Sequence, residues 1–493
     1  MKKVMLVLPV SLLTLSAFAV DLTGGYNIWS ETAGLKDSNN TTVVFSANGG
    51  GLYIDVNDRT ITSATISSAA NNFFQVKTGY TANVDSLALA SSLTSASIKI
   101  GTATVGNKPG FLGTLVLNMG SSPVKYGFEV NCGVLKLIGT GQSLSAPFTV
   151  NGSGEIHMID KNGNYTTYNN GGVITVNAGK FYAGRVVAPS ISITNGGLLS
   201  SSNAIRLISN DKTNTIDGQL IVNGYDSGGN HYTGDDGLTY YTRYFSLRFG
   251  NGTNRSTDYD AAQITNIGVN GSIVQTASDV KAVNDILGQV NVSSATSSLK
   301  FQSNIVIAGR GKLTLNSTNA FATIDASKKV IATQAGTTFY ISRKYYDSSA
   351  TNYYSDSDLV VNTNNDLGAL AFGSNTKLTL TIADDAVFSL GKITTQSGSN
   401  GTFTFVLDNW HDYSFKIVDM SLEDLEKISF YEEVVEGAVT KLSKLDVKFV
   451  ETALGSGDYW VNSVPEPSTY AMIFGAIAFG FVAYRRAKVR GRA

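Results

Sequence analysis

The sequence predicts an all-β chain, a right-handed parallel β-helix (β-solenoid), and three observations predict it. Alternating apolar strands of roughly 4–7 residues recur between about residues 40 and 400. Many of them run into an Asn-Gly or similar turn before the next strand. The composition is rich in glycine and poor in charge, with 50 Gly, only 7 Pro and 15% charged residues, which suits locally bonded turns and suits helical repeats poorly. The expected order is a leader at 1–19, a repeat region at 20–400, a capping α/β segment at 401–463 and a tail at 464–493.

The leader has the parts of a signal peptide. Lys2 and Lys3 precede an apolar run from Val4 to Leu15. Ala17 and Ala19 then supply the small residues a signal peptidase reads, which predicts cleavage after Ala19. An exported chain with one cysteine, Cys132, has no internal disulfide, and Cys132 is expected to be a small buried side chain in a strand.

In the repeat region one template recurs. Phe148-Thr149-Val150-Asn151-Gly152 leads into Glu155-Ile156-His157-Met158, and Ile174-Thr175-Val176-Asn177-Ala178-Gly179 leads into Lys180-Phe181-Tyr182. Ile191-Ser192-Ile193-Thr194-Asn195-Gly196-Gly197 precedes Leu198-Leu199, and residues 220–224, 267–273 and 305–315 repeat the pattern. Asparagine and glycine tolerate φ > 0, so each pair bends the chain while alternate side chains enter a shared interior. One coil buries little, so stacking many is required. A stack of antiparallel sandwiches uses Asn-Gly hairpins equally well, and the irregular repeat spacing does not decide between the two. The calcium-binding nonapeptide is absent, since no aspartate follows a Gly-Gly-x-Gly in register. Two tyrosine-rich stretches, Tyr225 to Asp260 and Tyr340 to Asp358, read as insertions projecting from the coils, whose rings could pack on the outer sheet or stack on sugars.

From about Gly401 charge rises. Phe403 to Leu407 and Phe415 to Val418 read as strands, and Ser421 as the N-cap of a short helix through Tyr431. Residues 447–450 and 459–461 close this segment, which covers the last coil and protects its edge.

The tail carries the most specific signal. Pro465, Glu466 and Pro467 fix an extended backbone. An uncharged stretch from Tyr470 to Tyr484 predicts a transmembrane helix about 22 Å long, short of a hydrocarbon core of about 30 Å, so it spans only with local thinning or snorkelling. Arg485, Arg486 and Lys488 form the basic stop that holds the end on the cytoplasmic side. Over Val464 to Arg492 this order of parts resembles the PEP-CTERM sorting tail of bacterial exported proteins. The resemblance implies an exosortase that reads the triplet around Glu466, cuts near it and passes the protein to the cell surface or an exopolysaccharide matrix. Extracellular polysaccharide then becomes a candidate partner. The body resembles the repeat passengers of autotransporters, without the terminal barrel.

Removing residues 1–19 and 468–493 takes away seven basic residues and no acidic one, leaving 30 basic against 38 acidic. An acidic body excludes nucleic acid as a partner, because that requires a clustered positive field. Parallel β-helices also host polysaccharide lyases and hydrolases, so a carbohydrate-active enzyme is the alternative, with Asp235-Asp236, Asp258/Asp260 or Asp356/Asp358 as acidic pairs. Gly-His-Gly and Arg-Ile-Lys companions are missing, and His157, His231 and His411 lack triad or metal spacing. The sequence therefore points to a structural or adhesive protein, with no catalytic residue, cofactor or metal expected. Its expected route is export across the inner membrane, transient anchoring by the tail, and residence at the surface or in the matrix.

Overall fold

A computed structural model gives the fold and describes residues 19–22, 24–36, 38, 40–46, 50–69, 72–101, 111–119, 126–139, 147–169, 172–208, 212–226, 231–233, 239–241, 245–250, 263–277, 283–308, 311–325, 330–332, 339–342, 355–372, 376–395, 403–437, 439–464 and 467–490. The chain divides into two compact units, Met1–Leu207 with Thr215–Gly224, and Ile208–Asn214 with Tyr225–Ala493. Each is built of parallel β-solenoid coils of right-handed type.

In the first unit Gly25–Ile28, Gly50–Ile54, Asn72–Val76, Ala96–Ile100 and Tyr126–Ile138 pair in turn, all parallel. Phe148–Ile159, Ile174–Asn177 and Ile191–Thr194 continue that ladder. A second ladder runs from Thr114–Asn118 through the later halves of the two long strands to Lys180–Ala183, Leu198–Ser201 and Gln219–Val222. A third holds Tyr168–Asn169, Val186–Ala188 and Ile205–Leu207. The register stacks like on like. Phe148, Ile174 and Ile191 form one inward row and Val150, Val176 and Ile193 the next, all fully buried. Parallel pairing throughout these coils rules out the sandwich alternative for them.

The corners fall where the Asn-Gly signals stand. Gly152, Ala178, Asn195 and Gly196 have φ of +54, +62, +51 and +76°. Asparagine side chains then bond coil to coil at the bend. Asn151 Nδ2 donates to Asn131 Oδ1 at 2.9 Å, and Asn195 Nδ2 donates to Asn177 Oδ1 at 2.6 Å. Gly133 makes the corner within Tyr126–Ile138, at φ +76°, where a Cβ would lie 2.7 Å from the Gly113 carbonyl oxygen. Gly133→Ala is expected to cost about 1–2 kcal/mol from the left-handed backbone alone, read as a lower urea midpoint.

The second unit repeats the scheme. Ile264–Ile267, Gln289–Val292, Lys312–Leu315, Ser355–Val361, Thr376–Ile382 and Phe403–Asp408 form one parallel ladder. Phe245–Phe249, Val283–Ile286, Ile305–Ala308, Phe339–Ser342, Leu370–Phe372 and Ile393–Thr395 form another. Phe405 sits among Phe372, Phe415 and Phe430 with ring centroids 5.2–5.7 Å apart. In the first tyrosine-rich stretch His231–Thr233 pairs antiparallel with Thr239–Tyr241.

Parallel pairing runs past the compositional boundary at 401 and into Ile428–Glu436. The helix opened by Ser421 is only Leu422–Leu425, with the Ser421 hydroxyl accepting from Asp424 N as expected. It stops short of Tyr431 because Ile428 and Phe430 are buried as strand residues against Phe403 and Phe405. Closure comes from antiparallel strands. Val439–Lys444 folds back on Ile428–Glu436, and Tyr459–Ser463 pairs with both Val447–Glu451 and Phe415–Ile417.

Two further expectations are corrected. Cys132 lies in its strand but is half-buried, beside a register shift between Val130 and Cys132 that turns it partly outward, and burial raises its thiol pKa. Among the described residues no helix is long and apolar enough to cross a membrane, so the transmembrane span at 470–484 is not upheld. The tail is a helix, Pro467–Arg490, yet its uncharged run is too short for a full hydrocarbon core. Phe474, Ile477 and Phe481 are exposed on one side of it and Phe479 on the other at 100° per residue, so none of these side chains is covered.

Candidate functional site

The strand alternation that fills the interior also sorts what faces out. In Phe148–Ile159 the residues Ile156 and Met158 are inside, so Glu155 and His157 face out. In Lys180–Ala183 the buried residues are Phe181 and Ala183, and Lys180 and Tyr182 face out. Register sets Glu155 opposite Lys180 and His157 opposite Tyr182. On the preceding strand Lys136 stands opposite His157. Tyr165 arrives from the following turn, bridged to Ile159. That turn is held by Asp160, whose carboxylate accepts from the backbone N–H of Asn162 and Asn164 at 2.7 and 2.9 Å.

These residues make one compact group. Lys180 Nζ donates to Glu155 Oε1 at 2.7 Å, and His157 Nε2 lies 3.2 Å from Glu155 Oε2. His157 stacks on Tyr182 with centroids 4.6 Å apart, and Tyr165 lies nearly parallel to both at 6.2 Å. Such offset ring contacts contribute about 0.5–1.5 kcal/mol each beyond their buried area. Partial burial raises the Glu155 carboxyl, but the hydrogen bonds and charges of Lys180 and His157 outweigh it and hold the pKa below the ordinary value. Glu155 in turn raises Lys180, and burial together with Glu155 raises Tyr182.

A carboxyl depressed in the folded state stabilises the fold above its unfolded pKa, and that contribution is lost as pH falls through the folded value. Glu155→Gln is expected to flatten the acid-side fall of the first unit's urea midpoint below about pH 4. An unchanged pH profile in that variant contradicts the pairing.

The sequence-derived sites lie elsewhere. Ala19 is exposed and immediately precedes the first strand, Val20–Leu22, while Ala17, Pro465 and Glu466 fall outside the described residues. Pro467 opens the tail helix, Arg485 is exposed on it, and Arg486 and Lys488 follow within it. Asp235, Asp236, Asp258 and Asp260 fall outside the described residues. Asp358 lies in Ser355–Val361 opposite Lys312 and Thr379, and Asp356 opposite Lys377. Among the described residues no group of three His, Cys, Asp or Glu side chains could hold a metal. The repeat that aligns Glu155–Met158 with Lys180–Tyr182 is the sequence signal for this group; the outward pairing itself depends on how many residues one coil takes.

No protein-family model matches the chain, and neither a curated protein nor a solved structure is similar to it.

Proposed function

We propose that the chain is an exported structural or adhesive protein, cleaved by signal peptidase after Ala19 and processed by an exosortase at the triplet around Glu466, for residence at the cell surface or in an exopolysaccharide matrix. One observation carries this reading: the first described strand is Val20–Leu22 and the last is Tyr459–Ser463, so cleavage after Ala19 and near Glu466 removes no described strand. The closing strand is well fastened. Ser463 donates through its backbone N–H and its hydroxyl to Asp412 Oδ1 at 2.7 and 2.9 Å, and Tyr413 N donates to Asn462 Oδ1 at 2.9 Å. The sorting triplet Pro465-Glu466-Pro467 follows in the sequence; Pro467 is the first residue of the tail helix, so the extended backbone expected for the triplet does not reach it.

The exposed apolar residues Phe474, Ile477, Phe479 and Phe481 of the helix that follows suit association with a lipid surface, and Arg485, Arg486 and Lys488 carry charges that anionic headgroups attract. Its role there is transient. Glu466→Gln is expected to leave the full tail on the protein and to shift it from the surface fraction to the inner membrane. Wild-type mass and location in that variant would overturn the sorting step.

A further inference from the structure

We propose that the group formed by Lys136, Glu155, His157, Tyr165, Lys180 and Tyr182 is a binding site for an acidic glycan, a chain of uronic acid residues. Lys136, His157 and Tyr182 stand on three consecutive strands in one outward row, and Glu155 and Lys180 occupy the adjoining row. With strands about 4.8 Å apart and alternate residues about 6.6 Å apart, the patch is an elongated strip sized for a short run of sugar rings.

Tyr165 is the docking face. It is 41% exposed while two rings lie nearly parallel to it, so its orientation is set before any ligand arrives. An aromatic face held in this way packs against the C–H face of a pyranose at little entropic cost. The polar groups beside it complement hydroxyls and a carboxylate: Glu155 accepts, while Lys180 and Lys136 donate.

Charge selects the class. Among the described residues no carboxylate pairs with Lys136, whereas Lys180 shares Glu155 with His157. The patch is thus locally cationic on a body that is acidic by eight charges once residues 1–19 and 468–493 are set aside. A neutral glycan would use the rings and leave Lys136 without a counter-charge. A uronic acid chain uses both, with its carboxylates on Lys136 and Lys180 and its ring faces on Tyr165.

This site does not rest on the sorting reading, since it concerns the purified protein wherever that protein resides. The test is calorimetric titration of the purified full-length chain with a galacturonic acid tetramer, with a galactose tetramer as the neutral comparison. Saturable binding of the acidic tetramer that weakens with added salt is expected. Tyr165→Ala and Lys136→Ala should each weaken it at least tenfold, and Tyr165→Phe should retain it, with the far-ultraviolet circular dichroism of all three unchanged. No saturable binding, wild-type affinity in either alanine variant, or equally tight binding of the neutral tetramer would overturn the proposal. Loss of binding in Tyr165→Phe as well would overturn the docking role of the ring face.

Discussion

Phe148→Ala is expected to destabilise the first unit by about 3–5 kcal/mol, because it removes a buried ring and leaves a cavity that the surrounding coils fill poorly. Phe148 is fully buried at the centre of a ring cluster, with centroids 5.5 Å from Phe128, 5.5 Å from Tyr168 and 6.0 Å from Phe181. Those neighbours belong to three other strands, so the loss spreads over adjacent coils. Tyr168 has little freedom to move in. Its hydroxyl donates to the Gly172 carbonyl at 2.7 Å, and burial holds its pKa far above the ordinary phenol value. Chemical denaturation checks this, with Phe148→Leu expected to lose much less. Equal midpoints for wild type and Phe148→Ala would mean the ring is not part of a packed interior.

Arg248→Met is the second large effect, also about 3–5 kcal/mol, through a different mechanism. Arg248 and Asp285 face one another across adjacent parallel strands and are 1% and 0% exposed. The guanidinium donates to Asp285 Oδ2 through Nε at 2.8 Å and Nη2 at 2.7 Å, and it lies 4.0 Å over the Phe245 ring. Removing it takes from the buried Asp285 carboxylate the guanidinium that donates to it through two nitrogens. Replacing both, as Arg248→Met with Asp285→Leu, is expected to recover most of the loss, because the desolvation cost of the pair disappears with it. A double variant as unstable as Arg248→Met alone would contradict this account.

The strands and corners at 148, 174 and 191 were legible because each coil repeats the same local rules: alternate residues inside, then a residue that tolerates φ > 0. Ala178 shows the limit of the rule, since it takes the left-handed corner that the Asn-Gly signal assigns to its neighbours. The boundary near 401 misled because composition averages both faces of a strand. Charge rises on the outward positions there, while Phe403, Phe405 and Phe430 keep filling the interior. Helix propensity after Ser421 lost to the same burial.

Lateral pairing was the least legible part. Whether Glu155 meets Lys180 depends on how many residues one coil takes, and that number varies along the chain. The Arg248–Asp285 pair was hidden for a related reason. Alternation sends Arg248 outward, and nothing in Phe245–Phe249 reveals that its outward face is also buried. The tail was readable in order but not in depth, because an uncharged run of this length is marginal between lying at a bilayer and spanning it.

The most direct measurement is intact-mass spectrometry of the protein recovered from the surface fraction. The account predicts a first residue of Val20 and a last residue beyond Val464 but before the apolar helix. A native product that keeps both Met1 and Ala493 would contradict it.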